Sequence, residues 1–569
     1  MKRHILILHA FLNLTVSMLA WACSTYCYAQ EKPEPAVIKV DLANEKGPMT
    51  PIWAWFGYDE PNYTYMKDGK KLLSEIAALS PVPVYVRAHS LLCTGDGTPA
   101  LKWGSTNAYT EDANGNPIYN WKIIDSIFDT YIERGMKPLA QIGFMPEALS
   151  IKAVPYQHDW KPGEPYSKIF TGWAFPPKDY NKWRELVYQW VKHSVGRYGK
   201  KEVESWYWEV WNEPNGYWKG TQEEFFKLYD YAADGLKRAL PTARIGGPNI
   251  AGTSSANATN WMHNFIKHCL YETNFATGKK GSPLEAILFH AKGSPTLKNG
   301  VVWMNMSPQL RDIAAGIKIA MSYPETKNLP LIVGESDPEG CAACGMATNP
   351  QNAYRNGTMY SSYTAATFVR KYELADQYKG NLIGAVSWSF EFENQPWFYG
   401  FRDLATNGVD KPVLNVFRMF GMMKGKRLHV ESNRMYPLQI VLDSSIRKNP
   451  EIGALASRDK KEMAIMVWNY HDEDKVGEPE PIVINVSNIP AKQIRLIQYR
   501  IDDEHSNSYE VWRKMGSPQG PTPRQIAELE KAGHLQTIPH SGKIKVASGN
   551  ATINISLPRQ GVALLKMAW

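Results

Sequence analysis

The sequence predicts an α/β chain, a (β/α)8 TIM barrel with an accessory antiparallel β-sandwich. Three observations lead there. Between residues 50 and 421, short apolar runs alternate with amphipathic stretches, the signature of repeated βα units. After Gly421 the runs become short and alternating, with turn-rich pieces between them, as in a sandwich of antiparallel strands. No Gly-rich phosphate turn follows the first strand, which argues against a doubly wound nucleotide-binding sheet.

The elements follow in chain order. Lys2 and Arg3 precede the apolar run ILILHAFLNLTVSMLAWA, and CYA ending at Ala29 offers a small-residue cleavage site. Residues 1–29 therefore read as an export signal, which places the mature chain in the periplasm or outside the cell. A lipid anchor at Cys23 is the alternative, but AWAC puts bulky Trp21 where small residues are expected. No later run is apolar enough to span a bilayer. In residues 30–49, AVIKVDL is a strand with no helix after it and is expected to join the sandwich.

The barrel, 50–421, has eight strand candidates: IWAWFGY, PVYVRAHS, KPLAQIGF, WYWEVWNE, ARIGGPN, EAILFHA, LPLIVGES and LIGAVSWSF. Between them lie helical patterns such as KLLSEIAAL, WRELVYQWVKHSVGRYG and EFFKLYDYAADGLKRAL. The sandwich, 422–569, contains MAIMVWNY, PIVINVS, IRLIQYRI, GKIKVAS and GVALLKMAW. It is interrupted by a helical insertion, PTPRQIAELEKAG, opened by Thr522 and Pro523 and stopped by Gly533.

Composition narrows the function. The 569 residues are 44% hydrophobic with 20 Trp and 30 Tyr, enough for a large core in more than one domain. Most of those aromatics belong to packing, and clustered ones also make platforms for the flat faces of sugar rings. The formal charge of +8 is not gathered into any Lys/Arg run, so nucleic acid is not an expected partner. No cofactor and no metal is expected. A zinc site on His89 and His290 is the alternative, but no metal-ligand spacing supports it. Once the signal is removed, Cys93, Cys269, Cys341 and Cys344 remain. CAAC reads as a local Cys341–Cys344 disulfide in an oxidising compartment, with the overall connectivity open. Oligomeric state is also left open.

In a barrel of this kind the chemistry sits where strands end. Glu213 closes the fourth strand candidate and Glu335 the seventh, three βα units later, so both face one rim. Two facing carboxylates are the minimum apparatus for glycoside hydrolysis: one protonates the leaving oxygen, the other attacks the anomeric carbon or activates water. Asn212 and Glu213 would point to opposite faces of a regular strand, and Pro214 ends the pairing so that both reach the site. Asn212 is then placed for a sugar 2-hydroxyl. Arg87 and His89, two apart, share a face; His290 ends the sixth strand and Trp388 lies near the end of the eighth. No GxSxG elbow is present, against an esterase.

These motifs resemble glycoside hydrolase family 39, the family of β-xylosidases and α-L-iduronidases, over nearly the whole mature chain. EVWNEPN resembles the acid/base motif, implying that role for Glu213, and GESDPEG the nucleophile segment, implying Glu335. GFMPEAL, with Phe144, resembles the third-strand segment. YRIDDEHSNSYEVWRKMGSPQGPTP resembles the C-terminal segment of the β-xylosidases. The resemblance implies a retaining enzyme with a barrel and a β-sandwich. Its aromatic surroundings then have a use, since desolvation and a second carboxylate keep a general acid protonated near neutral pH.

One departure bears on substrate. Where the β-xylosidases follow His-Ala with Tyr, this chain has Lys292, as in the iduronidase segment, and Arg402 lies near an iduronidase Arg. In the iduronidases these cations meet the substrate carboxylate. A buried ammonium needs a partner, so Lys292 is expected either to pair with a protein carboxylate such as Glu391 or Glu393, or to meet one on the substrate. The expected substrate is an oligosaccharide or glycoside ending in a β-D-xylosyl-type residue. A uronide and, in a different class, a non-catalytic glycan-binding role are the alternatives.

Overall fold

The structure is a computed structural model that describes residues 34–569 apart from 80, 81, 103, 476 and 540–542. The expected export signal, with Cys23 and Cys27, lies outside the described residues.

Eight parallel strand positions close into a barrel: Trp55–Tyr58, Tyr85–Ala88, Lys137–Ile142, Tyr207–Val210, Arg244–Ala251, Ala286–Lys292, Leu331–Asp337 and a split eighth. The eighth runs as Leu382–Ala385 beside the seventh strand and then as Ser387–Trp388 beside the first, which joins the two ends of the sheet. The strands read as apolar runs because both faces are covered, the inner by the barrel core and the outer by helices. Ala286, Ile287, Leu288 and Phe289, for example, are all fully buried. Helices Tyr180–Tyr198 and Gln222–Ala239 pack side by side over the fourth and fifth strands, the second opened by a capping box between Thr221 and Glu224.

Two irregularities matter for the site. The fifth strand carries one extra residue between Pro248 and Ile250 against the sixth, and the seventh carries one between Val333 and Glu335 against the same strand. Asn249 is therefore a bulge opposite the Leu288–Phe289 step of the sixth strand, and Gly334 one opposite the Phe289–His290 step. Such bulges re-aim side chains at barrel rims.

The second sheet has ten largely antiparallel strands and its own core of Ile38, Val40, Ile465, Ile484, Val486 and Ile553. Ala36–Pro48 lies inside it, antiparallel to Lys426–Ser432 and parallel to Glu480–Ser487. Among the described residues of the expected strand GKIKVAS, Lys543–Lys545 form a short strand. Pro523–Gly533 is a helix with a Thr522–Gln525 capping box. Its Leu529, with Trp512 of the preceding helix, packs on Trp397 and Phe398, so the insertion braces the loop after the eighth barrel strand.

A buried ion pair ties barrel to sandwich. Arg370, on helix Thr358–Tyr378, bonds Glu451 of the sandwich strand Glu451–Asp459, and also Glu373 at 2.7 Å and the Tyr436 carbonyl at 2.8 Å. Removing one member of such a pair strands the other charge in the interior. Glu451→Ala is predicted to cost about 3–5 kcal/mol, read as a lower unfolding midpoint by calorimetry. Replacing Arg370 and Glu451 together by Met should cost less than that single change.

Candidate active site

Adjacent residues Asn212 and Glu213 enter one cavity because the backbone turns between them. The fourth strand stops at Val210, and Trp211 (φ 66°) and Glu213 (φ 42°) both adopt the left-handed region. That conformation costs of order 1–3 kcal/mol for a residue with a side chain, and it persists where the surroundings over-determine it. Here Pro214 opens a one-turn helix, Pro214–Tyr217, and the Glu213 amide donates to the Asn249 carbonyl at 2.9 Å.

Glu335 is buried and surrounded by donors. Its Oε1 accepts from Arg87 Nη1 at 3.0 Å and lies 3.2 Å from His89 Nε2, while Oε2 accepts from Lys292 Nζ at 2.5 Å. Burial by itself would raise its pKa. Lys292, His290, His89 and Arg87 together outweigh that and hold the carboxyl well below the usual range. Arg87 is itself fixed by Glu209 at 2.6 Å and by Asn212 Oδ1 at 3.1 Å. His89 Nδ1 meets Gln141 at 3.0 Å; burial lowers the imidazole pKa, Glu335 opposes the fall and Arg87 adds to it.

Glu213 has a different setting. Its carboxylate keeps 16% of its surface open to the cavity, and Oε1 faces His290 Nδ1 at 2.9 Å. Glu213, His290 and Glu335 each bring an oxygen or nitrogen within 4.8 Å of the other two. That donor set fits a divalent cation poorly, because the Arg87 and Lys292 cations already hold Glu335.

Lys292 is paired, but not with Glu391 or Glu393. It bonds Glu335 and, at 2.6 Å, Asp337, two residues further along the same strand. Burial would lower the ammonium's pKa, yet Asp337 and Glu335 raise it. The expected partners are engaged elsewhere: Glu391 accepts from the Gly408 amide at 2.5 Å and Glu393 from the Asp68 amide at 2.9 Å. The Lys292 ammonium is thus a donor to Glu335. Arg402 is buried on Glu339 at 2.9 Å and the Trp388 carbonyl at 2.7 Å, with Asp337 at 3.6 Å.

Trp388 carries Arg87 over its ring at 4.8 Å and His89 at 4.3 Å. It lies flat because Gly57 leaves room: a Cβ there would sit 2.4 Å from the indole. Phe144 packs between Trp173 and Trp211 and lines a small recess beside Asn212. A cavity of about 500 Å³ gathers Asn212, Glu213, Lys292, Glu335, Trp388 and Arg402, with the joined Cys341–Cys344 on its wall. Cys93 and Cys269 are free and buried. Arg87, His89, Phe144 and His290 support this cavity from below and beside it.

Four residues escaped the sequence reading. Asp59 accepts from the Trp388 indole at 3.2 Å and pairs with Lys102, a cavity residue from the loop after the second strand. Burial would raise the Asp59 pKa, but Lys102 and His89 bring it down. Asp337 had a signal, since it lies two after Glu335 on one strand face. Glu339 and Lys102 had none, being loop residues.

Two outcomes follow. The Glu335 pKa is depressed on folding, so its charge contributes stability above about pH 4.5, lost as pH falls through the lower folded value. The gap in unfolding midpoint between the native protein and Glu335→Gln should therefore narrow on acidification from pH 6 to 3. Reducing Cys341–Cys344 should lower activity more than stability, because a loop this short closes little entropy but forms the cavity wall. Equal losses by parallel assay and calorimetry would contradict this.

Comparisons with known proteins identify the family. The profile described as "Glycosyl hydrolases family 39" matches residues 36–544. A β-xylosidase of Caldicellulosiruptor saccharolyticus is 29% identical over 456 residues, 78% of this chain and 82% of that one. An α-L-iduronidase of Mus musculus is 24% identical over 567 residues, 93% and 80% of the two chains. In structure, the family 39 enzyme of Xanthomonas axonopodis pv. citri superposes with a TM-score of 0.73 at 21% identity, covering 96% of this chain and 99% of the other. The chain belongs to glycoside hydrolase family 39 and is a glycoside hydrolase.

Proposed function

We propose that this glycosidase is a retaining, exo-acting enzyme that removes a terminal β-D-xylosyl-type residue by double displacement, with Glu335 as nucleophile and Glu213 as acid/base. The observation that carries the reading is the close approach of two carboxylates in opposed settings. Glu335 and Glu213 come within 4.8 Å, nearer to the roughly 5–5.5 Å of retaining sites than to the 6.5–9.5 Å that leaves room for water in inverting ones. Glu335 is kept as a charged nucleophile by its cations. Glu213, partly open to the cavity, protonates the leaving oxygen. Once Glu335 is an ester, Glu213 takes a proton from the incoming water. Asn212, its Oδ1 held by Arg87, has its amide Nδ2 left for a sugar hydroxyl. The Cys341–Cys344 bridge supports a location outside the reducing cytoplasm.

A neutral glycone is supported by the charge balance of the cavity. Lys292 is matched by Glu335 and Asp337, Arg402 by Glu339, and Lys102 by Asp59. A substrate carboxylate would have to displace one of these. The β-xylosidase relative supports the same choice. A uronide is the second reading, because Lys292 and Arg402 line the cavity together and an iduronidase is also among the relatives.

Proton NMR of the first-formed sugar should show retained configuration; an inverted product overturns the nucleophile assignment. With Glu335→Ala, azide should give the inverted glycosyl azide, and with Glu213→Ala the retained one. The same anomer from both contradicts the roles. Turnover of aryl β-D-xyloside should exceed that of aryl α-L-iduronide, and Lys292→Met should lose tenfold or more on the xyloside through its effect on Glu335. A selective loss on the iduronide, with xyloside turnover spared, assigns the uronide reading instead.

A further inference from the structure

His290 presents only one ring nitrogen to the catalytic carboxylates. Nδ1 faces Glu213 Oε1 at 2.9 Å, with Glu335 Oε1 at 3.7 Å, while Nε2 is fully buried and has no partner among the described residues. The Asn249 side chain is in the same condition: fully buried, with neither Oδ1 nor Nδ2 engaged. The two meet at Gly334. A Cβ built on that glycine would lie 3.0 Å from His290 Nε2 and 3.2 Å from Asn249 Oδ1. The amide and the ring edge thus border the same gap over Gly334 without a direct hydrogen bond, an arrangement that a water in the gap would join. Buried polar groups rarely stay unpaired, because each one left so forfeits the hydrogen bonds it made in water.

This meeting is built by the two bulges. Asn249 is the extra residue of the fifth strand and Gly334 of the seventh, and the two lie on either side of Phe289, the residue before His290 on the sixth. Asn249 sits at φ 58°, where Asn is one of the few side chains tolerated. Its carbonyl accepts from the Glu213 amide at 2.9 Å. One residue therefore touches the backbone of Glu213 and faces the far side of the ring that contacts its carboxyl.

The tautomer of His290 decides what that ring does. An unprotonated Nδ1 would take the hydrogen bond of the Glu213 carboxylic acid and hold back its proton from the leaving oxygen. A protonated Nδ1 donates to Oε1 instead and leaves Oε2 to carry the proton. The second tautomer makes Nε2 an acceptor, which needs a donor. A half-turn of the Asn249 amide turns Nδ2 toward the gap, where it would orient a water to donate to Nε2. We propose that Asn249 is a positioning residue that holds His290 as the Nδ1–H tautomer and thereby directs the Glu213 proton to the leaving group. This rests on the reading of Glu213 as acid/base.

Asn249→Gly tests it, since glycine accepts the positive φ and keeps the carbonyl that holds Glu213. The groups that face Glu213 or His290 (Glu335, Lys292, Tyr166 and Tyr217) are untouched by the change. Two readouts apply. Nitrogen-15 NMR of labelled histidine, in the absence of substrate, should show His290 protonated at Nδ1 in the native protein and shifted toward Nε2 protonation in the variant. In kinetics, the variant should lose tenfold or more on methyl β-D-xyloside, whose leaving group needs a proton. It should lose far less on the dinitrophenyl xyloside, and its alkaline limb of kcat/KM should move to higher pH. An unchanged protonation pattern, or equal losses on both glycosides, overturns the proposal. Should the native protein turn over neither xyloside, the substrate reading falls while the NMR test stands.

Discussion

Glu335 cannot be both buried and charged without its cations, and much of the barrel mouth is arranged around that requirement. Moving a carboxylate out of water costs several kcal/mol even after relaxation. Two cations from two strands repay it, Arg87 from the second and Lys292 from the sixth, with His89, at the end of the second strand, beside them. None of them reaches Glu335 freely. Arg87 is clamped between Glu209 and Asn212, both of the fourth-strand segment, and His89 rests on Gln141 of the third. The nucleophile candidate is thus positioned by residues fixed on most of the barrel, which is why a rigid closed sheet suits it.

A second polar network stiffens the wall opposite. Arg355, fully buried, donates to the carbonyls of Ala342, Cys344 and Gly400 and pairs with Glu339, so the loop bearing the disulfide is wrapped around one guanidinium. Glu339 also holds Arg402, and Arg402 holds the Trp388 carbonyl. The sandwich contributes from outside, where Trp512 and Leu529 pack on Trp397 and Phe398 of the same wall. The accessory domain therefore bears on the cavity without entering it.

What the sequence disclosed follows from the physics of each signal. Strand periodicity and strand ends were legible, so the eight barrel positions and the two rim carboxylates could be read directly. Arg87 with His89 followed from spacing on one strand. The bulges at Asn249 and Gly334 were not legible, because one extra residue leaves the apolar pattern intact. Lys102 and Glu339 come from loops, whose path depends on contacts far away in the chain. The partner of Lys292 was misjudged for a related reason. Glu391 and Glu393 are near the rim in sequence, but backbone amides of Gly408 and Asp68 claim them first, while Asp337 was passed over beside the more prominent Glu335.

Asp337 acquires a purpose once the proposed double displacement is followed through. If Glu335 is the nucleophile, its charge disappears on forming the ester, and Lys292 loses the partner at 2.5 Å. An ammonium left bare in that interior would oppose formation of the intermediate by the same desolvation that makes lone buried charges costly. Asp337, at 2.6 Å from the same nitrogen and itself fixed by the Trp388 amide at 2.8 Å, keeps Lys292 paired throughout the cycle. The lysine can then keep the Glu335 carboxylate charged in the free enzyme without penalising the glycosylated one. A tyrosine hydroxyl at that position would carry no charge and need no such companion, so Lys292 and Asp337 work as a pair.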